Sequence, residues 1–167
     1  MKQWMTDESI KSLIEMPKAV RNPRVRWTEQ KKSRRRTFDV ESVDGRHRFR
    51  VYQRQNLVDP SAFSCGLSVL DGDGEDLTLV RCNGPDHLHG NPLEGARLDY
   101  RCHVHFATER YIAEGMKPEH FAEHCEAYGD LVGATRHLAG LCAIANLPLD
   151  LDGASIEPAE ELLERGR

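Results

Sequence analysis

The segment RRTFDVESVDGRHRFRVYQRQ, residues 35–55, decides how the chain is read. Asp44-Gly45 lies between two runs of alternating character, and in a two-residue loop that dipeptide calls for a type I′ turn. Strands then cover Arg35–Ser42 and His47–Gln55, joined by Val43-Asp44-Gly45-Arg46. Counting outward from Val43 opposite Arg46 sets Glu41 across from Arg48, Asp39 across from Arg50 and Thr37 across from Tyr52. The other side pairs Val40 with Phe49 and Phe38 with Val51. One face of this hairpin is therefore apolar and able to cover a core, and the other is polar and charged.

Toward the N-terminus, residues 6–16 read as an amphipathic helix with Thr6 or Asp7 as N-cap and Ile10, Leu13 and Ile14 at helical spacing. Pro17 ends it. Lys18 to Lys32 is basic and lacks a clear period, so it reads as an irregular arm anchored by Trp27. Toward the C-terminus, Cys65–Leu70 and Asp76–Cys82 flank the turn Asp71–Glu75, with Phe63, Cys65, Leu67 and Val69 on one side. That turn lacks the closing acid of a calcium loop, since position 82 is Cys. A strand over Ala96–Phe106 places Leu98, Tyr100, Cys102, Val104 and Phe106 inward. Ala107–Glu114 reads as a short helix, Pro118–Tyr128 as a helix stopped by Gly129, and Asp130 caps a last helix to Ala145. The fold class is α+β: an N-terminal helix, an antiparallel sheet of about five strands built from hairpins, and C-terminal helices on one face. Residues 1–146 form one domain and 147–167 an acidic tail.

Composition bounds the function. A chain of 167 residues can bury a core without staples, and its five cysteines are scattered with no C-x-x-C spacing. Neither a disulfide framework nor a zinc ribbon is expected, and a reducing cytoplasm is the natural compartment. No segment has the apolar length of a membrane span, and the N-terminus lacks a signal-peptide core. The net charge of −4 conceals a basic block, because Lys18 to Arg54 carries +9 and the remainder −13. Such asymmetry points either to a polyanion-binding face or to internal neutralisation. By the hairpin register, Arg48 and Arg50 have carboxylates opposite them. Arg34, Arg35, Arg36, Arg46 and Arg54 are left for a polyanion.

Chemistry concentrates between Leu77 and Phe106. Four of the eight histidines lie there as two His-x-His pairs, His87/His89 and His103/His105, with Arg81, Asp86, Asn91, Arg97 and Arg101 nearby. Imidazoles titrate near neutrality, so one can take a proton while another gives one, as metal-independent cleavage of RNA requires. In that reading His103, His105, His87 and His89 are catalytic, Arg101 or Arg97 stabilises phosphoryl charge, and no cofactor or metal is needed. A second reading makes the same loop and the open sheet face a non-catalytic surface for a protein or nucleic acid. A third uses the imidazoles as ligands of a metal ion. The partner is thus RNA or a protein, with no membrane.

Several short runs also carry a resemblance: LIEMPK (13–18), FRVYQRQN (49–56), FSCGL (63–67), LVRCNGP (79–85) and HVHFATERY (103–111). In that order they are similar to a family of bacterial proteins catalogued only as a domain of unknown function. The resemblance implies a small, self-standing bacterial module and assigns no activity, ligand or catalytic residue.

Overall fold

The computed structural model describes residues 5–70, 72 and 75–149. The acidic tail expected from residue 147 lies outside them from residue 150 onward. Helix α1 spans Asp7–Glu15; Thr6 caps it by accepting from Ser9 N, and the Ser9 side chain accepts in return from Thr6 N. Its inward stripe is Ile10 and Leu13. The basic arm that follows is less irregular than its composition implies, because it contributes two short strands, β1 (Lys18–Val20) and β2 (Thr28–Gln30).

The hairpin is β3 (Ser33–Ser42) and β4 (Arg48–Asn56), and every pair expected from the sequence is found, from Glu41 opposite Arg48 to Thr37 opposite Tyr52. The turn differs. Gly45 alone has a positive φ, +73°, and Gly45 N donates to Ser42 O, so the four-residue loop is not type I′. Register survives because a two-residue and a four-residue loop both leave Ser42 opposite His47.

Strands β5 (Phe63–Leu70) and β6 (Asp76–Asn83) extend the sheet, with a register shift after Leu67 that lets Leu79 and Val80 both turn inward. The chain then leaves the sheet for a two-stranded ribbon, β7 (His89–Asn91) and β8 (Ala96–Leu98). It returns as β9 (His103–Phe106), α2 (Glu109–Ala113), β10 (Phe121–His124), α3 (Leu131–Leu141) and β11 (Ile144–Ala145). The main sheet runs β10-β9-β6-β5-β4-β3-β1-β11 with β2 alongside β3. It is antiparallel except where β1 meets β11. The architecture is mixed α and β, with a sheet larger than the five strands expected.

Three expectations about elements fail. The last helix stops at Leu141 and not at Ala145, because Ala143 takes a left-handed φ of +51° and Ile144–Ala145 pairs with β1. Pro118–Tyr128 is not a helix: its Phe121/Cys125/Tyr128 spacing is overridden by the free edge of β9, which takes Phe121–His124 as a strand. Ala96–Phe106 is not one strand either. A tight bond from Arg101 N to Asp99 O breaks it, β8 and β9 join different sheets, and Tyr100 faces solvent.

The core lies on one face of the sheet, where Phe38, Val40, Phe49, Val51, Cys65, Leu67 and Leu79 meet Leu131, Ala134 and Leu138 of α3. On the other face the ribbon covers β9, while β3, β4 and β5 stay open.

Candidate functional site

Strand parity puts His103 and His105 on the side of β9 opposite the core, and there the ribbon closes over them. They are 0% and 1% exposed. The loop brings the other pair down onto them: ring centres are 4.8 Å apart for His87–His103, 4.6 Å for His89–His105, 5.8 Å for His89–His103 and 5.1 Å for His103–His105. His120, just before β10, joins the group 5.2 Å from His89. The two His-x-His pairs thus share one place.

The ribbon is held down by backbone-like bonds. Asn91 donates from Nδ2 to Ala122 O at 2.7 Å and accepts from Ala122 N at 3.0 Å, so its amide acts as one more rung beside β10. His89 Nε2 donates to His120 O at 2.8 Å, with Asn91 Oδ1 also near, and His120 Nε2 donates to Gly90 O.

Protonation follows from these partners. A carbonyl can only accept, so His103 Nδ1 carries its proton toward Arg101 O and His105 Nδ1 carries its proton toward Glu119 O, both at 2.9 Å. The Nε2 atoms of both rings are buried and have no hydrogen-bond partner among the described residues. Burial lowers the pKa of His103 and of His89 below the ordinary imidazole value. His105 is pushed down to about 2, first by burial and then by the charge of Arg81. The buried pair is neutral at ordinary pH, and neither member serves as the acid of a His/His cleavage mechanism.

His87 differs. Its side chain is 43% exposed, its Nδ1 donates to Asp86 Oδ1 at 3.1 Å, and its Nε2 faces Asn83 Nδ2 at a loose 3.5 Å. It opens on a polar pocket of about 350 Å³ lined by Arg54, Asn56, Ser64, Asn83, Asp86 and His87.

The arginines separate by face. Arg34 and Arg36 lie over Trp27, 4.4 and 4.5 Å from its ring centre, and bond Gln55 and Gln53 respectively, so these two are committed inside the protein. Arg101 pairs with Asp99 at 3.3 Å, and the guanidinium beside the histidines is Arg81 instead, tied to Glu119 at 3.1 Å. The sequence places Arg81 near these histidines but gives it no role, because the bulge in β5–β6 hides its parity. Arg46 lies at the far end of the open face, in a second polar pocket with His47, Arg48, Arg50 and Asp76.

The carboxylates expected opposite Arg48 and Arg50 turn elsewhere: Glu41 pairs with Arg21, Asp39 bonds Asn22, and Arg50 takes Asp76 at 2.9 Å. The side chains of Arg35 and Arg54, opposite one another across β3 and β4, have no hydrogen bond or ion pair among the described residues, and neither does that of Arg48. Like charges face to face are destabilising without an anion between them. One row across the sheet runs Arg35, Arg54, Ser64, Asn83, His103.

As the side chains stand, no group of three or more His, Cys, Asp or Glu among the described residues is set to hold a metal ion. No helix among them is long and apolar enough to cross a membrane. No protein-family model matches the chain, and neither does any curated protein or solved structure, so the site must carry the functional reading by its own chemistry.

Proposed function

We propose that the protein binds single-stranded RNA along the open face of β3, β4 and β5 and cleaves it beside His87. The observation that carries this reading is the unneutralised Arg35/Arg54 pair, set in the same cross-strand row as the pocket that His87 and Asp86 border. Along β4 the open face presents Arg48, Tyr52 and Arg54, a stripe about 20 Å long at ordinary strand rise, with Arg50 between them already held by Asp76. Guanidinium groups track a phosphate backbone, and an aromatic ring between them offers a base a surface to stack on.

The chemistry follows from tautomer and position. Asp86 holds the His87 proton on Nδ1, leaving the Nε2 lone pair to take the proton of a ribose 2′-hydroxyl. The 2′ oxygen bonds to phosphorus and the bond from phosphorus to the 5′ oxygen breaks. The departing oxygen takes a proton from water, and the hydroxide so formed is neutralised by protonated His87. Arg54 would balance charge on the non-bridging oxygens. The products are a 2′,3′-cyclic phosphate and a 5′-hydroxyl end.

A labelled single-stranded RNA, followed by anisotropy and on a denaturing gel, tests both halves. His87→Ala should lower cleavage about 10²- to 10³-fold, the usual worth of a positioned general base, while binding is kept. Arg35→Ser/Arg54→Ser should weaken binding. Binding without cleavage in the unaltered protein would reduce the assignment to a binding module, and the absence of binding would end it.

A further inference from the structure

Behind His87 lies a set of lone pairs that the RNA reading does not use. His103 and His105 are fully buried, each proton is fixed on Nδ1 by a backbone carbonyl, and each Nε2 is left without a partner. A buried polar atom with no partner is destabilising, so two of them two residues apart on one strand face require a reason. An imidazole whose Nδ1 proton is held by a main-chain carbonyl is also the usual form of a metal-bound histidine, because that bond fixes the tautomer and turns Nε2 outward. His89 completes the group. Its Nε2 proton goes to His120 O, which makes Nδ1 its lone-pair nitrogen.

We propose that His103 Nε2, His105 Nε2 and His89 Nδ1 form a site for a zinc-like divalent transition ion, which fastens the β7–β8 ribbon to β9. Ring spacing supports it. With nitrogen about 2.0–2.1 Å from a tetrahedral ion, imidazole ring centres lie about 5 Å apart. The three separations here are 4.6, 5.1 and 5.8 Å. Since no three donors already converge as the side chains stand, binding must turn a ring; His89, on the ribbon, is the least buried of the three, and turning it exchanges its bond to His120 O for the bond to the ion. The two strand histidines are held by their carbonyls and by close packing. An all-imidazole donor set selects zinc, nickel or copper over magnesium or calcium, which take oxygen ligands. The cysteines play no part: Cys65, Cys82 and Cys142 are buried in the core on the other face. A fourth position is left to water, which suits an ion that is bound by three protein ligands.

The site is independent of the RNA reading, and its test reads the metal rather than RNA. The full chain is stripped with a chelator, dialysed against zinc chloride and assayed for bound metal by elemental analysis, with magnesium chloride as control. One zinc per chain and a raised melting temperature are expected, with neither effect from magnesium. Cobalt(II) in place of zinc should give the visible absorption of a tetrahedral nitrogen-ligated ion, a readout that needs no variant. His89→Gln removes the least buried of the three donors and should weaken zinc binding tenfold or more, as should His105→Gln where it folds. His137→Gln, a change on α3, should leave it intact. No retained zinc and no shift in melting for the unaltered chain would overturn the proposal, and so would unchanged affinity in His89→Gln.

Discussion

At the scale of single residues, Lys18 shows how this chain uses a buried charge. It is 1% exposed, yet its ammonium donates to Ile14 O and Met16 O at the end of α1 and to Cys142 O at the end of α3, and it lies 4.8 Å over the Phe49 ring. Three carbonyls that helix geometry leaves open are thereby satisfied by one side chain. Lys18→Met keeps the length and removes the donors, and it should cost about 2–4 kcal/mol in urea unfolding. The same residue sets a pH dependence. Burial lowers its pKa from 10.5 to about 8, so the unfolded chain binds the extra proton between those values. The burial penalty is therefore full below pH 8, fades as pH rises toward 10.5 and is gone above it. Unfolding free energy measured against Lys18→Met should shift in favour of the unaltered protein across that window; a flat difference would mean that Lys18 stays charged. Asn91, by contrast, has an amide that imitates a strand rung, a role with no mark in the sequence beyond its place in a His-Gly-Asn run.

At the scale of elements, Gly66 joins the fold to the open face. It lies opposite Tyr52 and Arg81, and an added Cβ would come within 2.7 Å of Tyr52 Cε1 and 2.8 Å of Val80 O. The ring could swing away, but the carbonyl belongs to the sheet. Gly66→Ala should lower stability by about 1–3 kcal/mol and displace Tyr52, which quenching of tyrosine fluorescence by acrylamide would report. This strand also shows what the sequence could reveal. The hairpin register was legible because alternation, opposite charges and Asp-Gly all pointed one way, and even a misread turn left the pairs in place. The strands β5 and β6 were legible for the same reason, apart from the bulge. Residues 118–128 were not, because Phe121, Cys125 and Tyr128 match helical spacing and only the free edge of β9, absent from any local pattern, decides for a strand. The meeting of the two His-x-His pairs was raised by their spacing. Their burial was not, since the ribbon that covers His103 and His105 forms only after Leu98 pairs back to His89.

At the scale of the whole molecule, charge is sorted by face and by partner more than by position in the chain. The basic block looked half neutralised by its own hairpin. Its carboxylates instead serve Arg21 and Asn22, Arg50 is matched by Asp76, and Arg34 and Arg36 are spent on Trp27. Among the described residues, Arg35, Arg48 and Arg54 remain unmatched on the open face, within a chain whose net charge is −4. An acidic body repels RNA at long range, so binding must come from those few contacts and must weaken steeply with salt. Counterion release from single strands gives a slope of log affinity against log salt of about −0.7 per phosphate neutralised, hence about −2 for three arginines. Arg35→Ser/Arg54→Ser should flatten that slope by about 1.4, whereas Arg50→Ser, already matched by Asp76, should move it little. Anisotropy titrations at several sodium chloride concentrations read the slope directly. A double variant with the unaltered slope would mean that the strand lies elsewhere, because a nearby neutral change can alter affinity but only a lost phosphate contact alters the number of ions released.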